Sequence, residues 1–381
     1  MSGPLAGIKI VEFAGIGPGP MCAMLLADLG ATVLRVDRKQ PANLGIPRPL
    51  QYDTLLRNRR SIALDLKCGQ AAGAALELIE QADAVLEAFR PGTMERLGLG
   101  PEPCLARNKR LVYGRMTGWG QDGPLSAYAG HDINYLAITG LLDAIGRPGQ
   151  APSIPLNVVG DYAGGALYLA VGMLAALLNA RQTGLGQVVD AAIVDGAAHL
   201  SATFFGMIAG GIWQQGRGSN LVDGGAPFYD CYRCSDGKYV SVGPIESKFF
   251  SVLLGALNID PGQAGSQSNK EHWADCRELL RARFLEKSRD EWVALLEHSD
   301  ACVTGVLTFE EAPHHPHLQA RNTYVQVDGV VQPAPAPRFS RTRPGTPYPP
   351  QKPTAENTAH ALASWITPER LAELRSAGVL A

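Results

Sequence analysis

The chain has 381 residues, 46% of them hydrophobic and 18% charged, a composition that excludes a disordered or fibrous protein and leaves room for a large and a small domain. A formal net charge of −2 excludes nucleic-acid binding driven by bulk electrostatics. Residues 1–120 nevertheless carry 15 Lys/Arg against 11 Asp/Glu, so an anionic ligand is expected to prefer the N-terminal third.

In chain order, "IKIVEFAG", "ATVLRVDR" and "QADAVLEAF" read as short buried strands. They alternate with helical patterns such as "MCAMLLADLG" and "AAGAALELIEQ", and "RLVYGRMTGWG" adds a strand. Strands alternating with helices of this length predict a parallel sheet covered on both faces. The apolar run from Gly165 to Ala180 is 16 residues, short for a membrane span and suited to a buried helix, so no span is expected. A long helix over roughly 162–182 ends at "TGLG", and "QVVDAAIVDGAAHLSATFFGMIAGG" gives a strand followed by a further long helix. "FYDCYRCSDGKYVSVGP" is a hairpin pattern, followed by short helices, which predicts a smaller α+β domain over 225–310. Residues 1–195 and 325–381 then form the large domain, with linkers at 196–224 and 311–324. The proline-rich stretch 331–353 is expected to run extended over a surface.

Several motifs suggest chemistry. "GIGPGP" at 15–20 follows a strand and precedes a helix, as a dinucleotide-binding loop would. Pro20 replaces the last glycine of that fingerprint and the two prolines remove N–H donors, which favours a tight turn instead. Arg35, Arg38, Arg57, Arg59, Arg60, Lys67, Arg90 and Arg96 read either as a phosphate-binding crevice or as a solvated basic surface. "HHPH" at 314–317 and the pair Cys231 and Cys234 lack the further ligands of a metal site, and no metal is expected. Seven scattered cysteines indicate free thiols in a reducing compartment. "MSGPLAGIKI" has no signal-peptide pattern and "GVLA" is no peroxisomal signal, so a cytoplasmic location is expected.

His131 and Asp161 interrupt apolar segments, "YAGHDINYLAITG" and "NVVGDYAGGALYL". Asp132 is poorly placed to orient His131, because neighbours on a helix point apart. Asp161 falls at a helix N-terminus, where the dipole and free N–H groups favour an anion and would also stabilise an oxyanion. A His, an Asp and such a site fit proton abstraction next to a carbonyl.

"AGHDINY", "VVGDYAGG", "GLGQVVDAAIVDG", "LVDGGAPFYDCY" and "ACVTGVLTFEE" resemble the class III CoA-transferase superfamily, and within it the α-methylacyl-CoA racemases. "GIGPGPMCAMLLADLGATVLRVDR", "RNRRSIALDLK" and "EAFRPGTMERLGLGPE" are similar as well, so the likeness covers about residues 4–340. The resemblance implies a Rossmann-like large domain with a parallel sheet, a smaller α+β domain, and a homodimer of interlocked chains. It implies an acyl-CoA thioester substrate and no separate cofactor, coenzyme A being part of the substrate. By the same resemblance Arg38, Leu64, Asp65, Leu66, Lys67, Ala88, Phe89, Arg90 and Arg96 contact coenzyme A, as do Gly130, Asp132, Ile133, Asn134 and Tyr135. His131 and Asp161 are then the two acid/bases that invert the α-carbon of a 2-methyl-branched acyl-CoA through an enolate. Glu246 of the other chain pairs with the His. The alternative within the superfamily is a CoA-transferase using Asp161 as the nucleophile that forms an acyl anhydride. His131 speaks for the racemases, since the transferases lack a His in the matching segment. Pro244, where family members often carry Ala, is a departure that does not touch the proposed bases.

Overall fold

A computed structural model describes residues 2–40, 45–66 and 69–380. The described chain divides into two compact units. The first comprises Met1–Thr139, Leu156–Leu200 and Pro316–Ala381, and the second Gly140–Pro155 with Ser201–His315.

The first unit is built on a six-stranded sheet: β1 (Lys9–Phe13), β2 (Thr32–Arg38), β3 (Arg60–Leu64), β4 (Ala84–Glu87), β5 (Val112–Thr117) and β6 (Val188–Ala192). The spatial order is β3-β2-β1-β4-β5-β6 and every pairing is parallel. This is the doubly wound order, in which the chain reverses direction of travel between β1 and β4. The central strands are apolar almost throughout because both faces are covered. On one face Val11, Phe13, Leu34, Val36 and Ile62 pack with helix α2 (Gly69–Glu80) and with Leu362, Trp365 and Leu374 near the C-terminus. On the other, Ile10, Val33, Leu86 and Val112 pack with Leu26 of helix α1 (Pro18–Asp28) and with Leu169 and Met173.

Leu169 and Met173 belong to a helical stretch whose start differs from the expected one. Its first ten residues, Val158–Leu167, are wound as a π-helix, and Tyr168–Thr183 continues as an α-helix. The wider turn accompanies a close approach of backbones: a Cβ on Gly196, in the helix Ile193–Leu200, would lie 1.8 Å from the Gly164 carbonyl oxygen. By length and composition the whole stretch Val158–Thr183 is apolar enough to cross a membrane, but half of its most apolar window is buried in the protein, as in a core helix. The helix expected after β6 is broken at Ser201 into Ile193–Leu200 and Ala202–Ala209.

An antiparallel hairpin, β10 (Tyr324–Val327) with β11 (Val330–Pro333), occupies a segment with no strand expected before residue 331 and extended chain after it. Its turn is Asp328-Gly329, both residues at positive φ. In the second unit, β7 (Asp230–Arg233), β8 (Tyr239–Val242) and β9 (Val303–Gly305) form an antiparallel sheet, with the hairpin turning at Ser-Asp-Gly as the sequence indicated. Phe228, Tyr232, Phe250, Phe284 and Trp292 are buried in that unit's core.

Candidate active site

The C-terminal ends of β1, β4, β5 and β6 open into a cleft of about 350 Å³ in the first unit. It lies at the switch point between β1 and β4, where doubly wound sheets take their ligands. Its walls are the β1–α1 loop (Ile16–Pro18), the residues after β4 (Ala88–Pro91), the residues after β5 (Thr117–Trp119) and the segment Tyr128–His131. Tyr135, Asp161 and Ile193 complete them.

His131 and Asp161 therefore share one cleft, each hung from the start of a different helix. His131 is the N-cap of the helix Asp132–Ile138, with extended backbone and an exposed side chain. Its N–H is held by the Asn134 side-chain oxygen at 3.0 Å, which fixes the backbone from which the imidazole projects. Asp161 lies in the first turn of the π-helix, so it is inside the helical segment rather than ahead of it. Asn157 Nδ2 donates to its Oδ2 at 3.2 Å. Burial pushes the Asp161 carboxyl above the ordinary carboxylate range and the nearby Asp132 adds to this, while the Asn157 bond and the His131 charge pull it down.

Asp132 is buried, and its Oδ2 accepts the Asp161 N–H at 2.6 Å. That N–H is consequently not free to stabilise an oxyanion, contrary to the simplest expectation for a helix start. Of the helix Asp132–Ile138, beside His131, the Asn134 N–H is taken by the His131 carbonyl oxygen, and the N–H groups of Asp132 and Ile133 precede any intrahelical acceptor. The loop "GIGPGP" serves as the tight turn expected of it: Gly17 adopts φ 67°, and a Cβ there would stand 3.2 Å from Asp161 Oδ2. Tyr135 closes the back of the cleft, edge-on to Trp119 at 4.6 Å, with its hydroxyl donating to the Gly130 carbonyl. Burial, with the Asp161 charge, pushes the Tyr135 hydroxyl up to about 12, so it stays protonated.

Of the residues expected to meet coenzyme A, Ala88, Phe89, Arg90 and Gly130 line this cleft. Arg38 is exposed and lies 5.8 Å from the Phe89 ring centre, a cation–π contact at the mouth. Arg96 is exposed and its side chain donates to Thr93. Asp65, Ile133 and Asn134 are exposed and Leu66 packs against the core. Leu64 is buried in the core and its backbone bridges to Leu380. Lys67 lies outside the described residues. Glu246 is exposed at the N-cap of the helix Ser247–Ala256 in the second unit.

Arg35, Arg57 and Arg59 are buried, and Arg60 is half-buried. Arg59 is fully buried and pairs with Glu12 at 2.7 Å, and Arg57 pairs with Asp28 at 2.5 Å. Arg35 is buried beside Asp37 at 3.0 Å, and Arg60 donates to the His360 carbonyl. For Arg35, Arg57 and Arg59 neither reading made from the sequence holds: they are internal braces among β1, β2, α1 and the chain entering β3. Sequence reading missed them because their partners are 47 and 29 positions away. In "HHPH", His315 pairs with Glu297 at 2.7 Å. Cys231 is exposed and Cys234 buried, both as free thiols.

An all-parallel doubly wound sheet with an imidazole and a carboxylate at its switch point defines a class of α/β proteins that act on small-molecule ligands in that crevice. The sequence profile of CoA-transferase family III matches residues 5–358, and the chain belongs to this family. It is 41% identical over 376 residues to "Alpha-methylacyl-CoA racemase" of Mus musculus, an alignment covering 98% of this chain and 96% of the relative. It is 43% identical to "Alpha-methylacyl-CoA racemase" of Homo sapiens over 89% of this chain and 87% of the relative. Among solved structures, a CAIB/BAIF family protein from Brucella suis superposes with a TM-score of 0.83 at 25% identity, covering 95% of this chain and all of that one.

Proposed function

We propose that this protein inverts the α-carbon of 2-methyl-branched acyl-CoA thioesters by 1,1-proton transfer, with His131 and Asp161 as the two acid/bases. The observation that supports the reading is that these two residues line one cleft from two different helix starts, as a pair serving opposite faces of one carbon would. Inverting a stereocentre through a planar enolate requires such a pair, one group removing the proton and the other returning it to the opposite face. His131 takes the proton from the (S)-thioester while protonated Asp161 delivers one; in reverse, Asp161 is the base and the imidazolium the acid. A carboxyl raised by burial holds its proton more readily than an exposed one, which suits a group that must both give and take it. The N–H groups of Asp132 and Ile133, at the start of the helix that His131 caps, would supply donors for the enolate oxygen.

The coenzyme A moiety carries phosphates, and exposed Arg90 in the cleft wall and Arg38 against Phe89 would supply the matching charge, with exposed Arg96 as a further candidate. Glu246 of a partner chain in a homodimer would pair with His131 and hold its ring. No cofactor beyond the coenzyme A of the substrate enters this chemistry.

A family named for CoA transfer supplies the competing reading, with Asp161 attacking the thioester to form an acyl anhydride. Incubating the purified protein with (S)-2-methylacyl-CoA and separating the epimers tests the two. Appearance of the (R)-epimer without any carboxylate acceptor supports racemisation. Unchanged stereochemistry, with hydroxylamine trapping an acyl group on Asp161, would refute it in favour of transfer.

A further inference from the structure

We propose that the Asp132 carboxylate is the positioning residue that holds the two bases in register, tying the chain at His131 to the backbone of Asp161. The proposal rests on the racemase reading for its catalytic consequence. Asp132 directly follows His131, which caps its helix, and is 7% exposed. Its Oδ2 accepts the Asp161 N–H at 2.6 Å, a short charge-assisted bond across 29 residues of sequence. It also sits hard against the preceding residue, since a Cβ on Gly160 would be 2.5 Å from that oxygen. One side chain thus links the start of the imidazole's helix to the start of the carboxylate's helix.

A neutral oxygen could also accept the Asp161 N–H, through a weaker bond. Placing a second carboxylate beside Asp161 in a half-buried site is electrostatically unfavourable, and burial already disfavours the charge on Asp132. The charge therefore has a use at Asp161, whose proton it helps retain. The other groups around Asp161 are Asn157, which donates to it, His131, whose charge opposes Asp132, and Tyr135. Arg90 acts on Tyr135 from the loop after β4.

Asp132→Asn keeps an oxygen for the Asp161 N–H and removes the charge; Asp132→Ala removes both. Carbon-13 NMR titration of aspartate-labelled protein, with the Asp161 signal assigned through Asp161→Asn, reads the charge effect without any turnover. The expected result is a lower Asp161 pKa in Asp132→Asn than in the wild type; an unchanged one overturns the part given to the charge. Kinetics then read the anchor. Asp132→Ala is expected to lose on the order of 10²-fold in kcat in both directions with KM nearly unchanged, as misplacement of one base requires. Asp132→Asn is expected to recover most of that loss at the pH of its own optimum. Wild-type kcat in a folded Asp132→Ala overturns the anchor. Absence of epimer interconversion by the wild type refutes the racemase reading instead, and the titration still decides the charge's part in the proposal.

Discussion

Removing the Glu12 carboxylate should unfold a large share of the first unit's stability without touching its ligand site. Glu12 and Arg59 have side chains with no solvent exposure, joined by a single 2.7 Å contact between Oε2 and Nη1. Arg35 lies directly across the β1–β2 ladder from Glu12, so a second guanidinium shares the same carboxylate's field. In Glu12→Ala the Arg59 cation keeps its burial and loses its anion, a change that costs roughly 3–5 kcal/mol. Against a total stability of about 5–15 kcal/mol that is a large fraction. The pair is also incompletely satisfied: among the described residues Glu12 Oε1 and Arg59 Nε and Nη2 have no hydrogen-bond partner. Replacing both members by apolar residues, Glu12→Leu with Arg59→Met, should therefore recover most of the loss, since burying unsatisfied charge is expensive and apolar packing is not. Guanidinium chloride unfolding followed by far-UV circular dichroism measures both, with the transition of the first unit analysed separately because two compact units need not unfold together. A single variant costing under about 1 kcal/mol, or a double variant no better than the single, would refute the reasoning. The double variant should bind an acyl-CoA as the wild type does; lost affinity at retained stability would make Arg59 a ligand contact after all.

Three further outcomes follow from the site. Gly17→Ala places a methyl 3.2 Å from Asp161 Oδ2 at a positive φ, and should lower kcat by about 10-fold or more while costing roughly 1–3 kcal/mol of stability, read by turnover and thermal melting. Arg38→Ala should raise KM several-fold with kcat retained, and the difference from wild type should shrink as salt is added, because the lost contact is a screened charge at the cleft mouth. Asp161→Asn should abolish racemisation yet raise the melting temperature near neutral pH. A carboxyl whose folded pKa is raised favours the folded state below the unfolded value and loses that contribution as pH rises through the folded value. The stabilisation by Asn should accordingly vanish on acidification below the usual carboxylate range.

The sheet was legible because parallel strands buried on both faces are written as predominantly apolar runs, and "IKIVEF", "ATVLRV" and "DAVLE" are such runs despite single charged residues within or at their ends. The winding of Val158–Leu167 was not, since apolar spacing marks a helix without distinguishing a π from an α turn, and the close approach of Gly164 and Gly196 that accompanies it joins residues 32 apart in sequence. The β10–β11 hairpin had a readable signal, an Asp-Gly pair between alternating valines, which the neighbouring prolines obscured. Arg57 and Arg59 were misread because charged residues are seldom fully buried, and only the folded chain shows the carboxylates that receive them. His131 and Asp161 stood out as polar interruptions of apolar segments. Asp132 stood out beside His131, but its role did not, because its partner is a backbone N–H that no sequence pattern identifies.

The most direct test of the two-base account is proton NMR of single epimers of a 2-methylacyl-CoA incubated in D2O with the wild type, His131→Ala and Asp161→Ala, followed by chiral analysis. The account expects the wild type to lose the α-proton signal from either epimer and to deliver deuterium into the inverted product. His131→Ala should retain α-proton exchange only with the (R)-epimer and Asp161→Ala only with the (S)-epimer, neither inverting it. A wild type that binds the thioester yet leaves its α-proton and configuration intact would contradict the account.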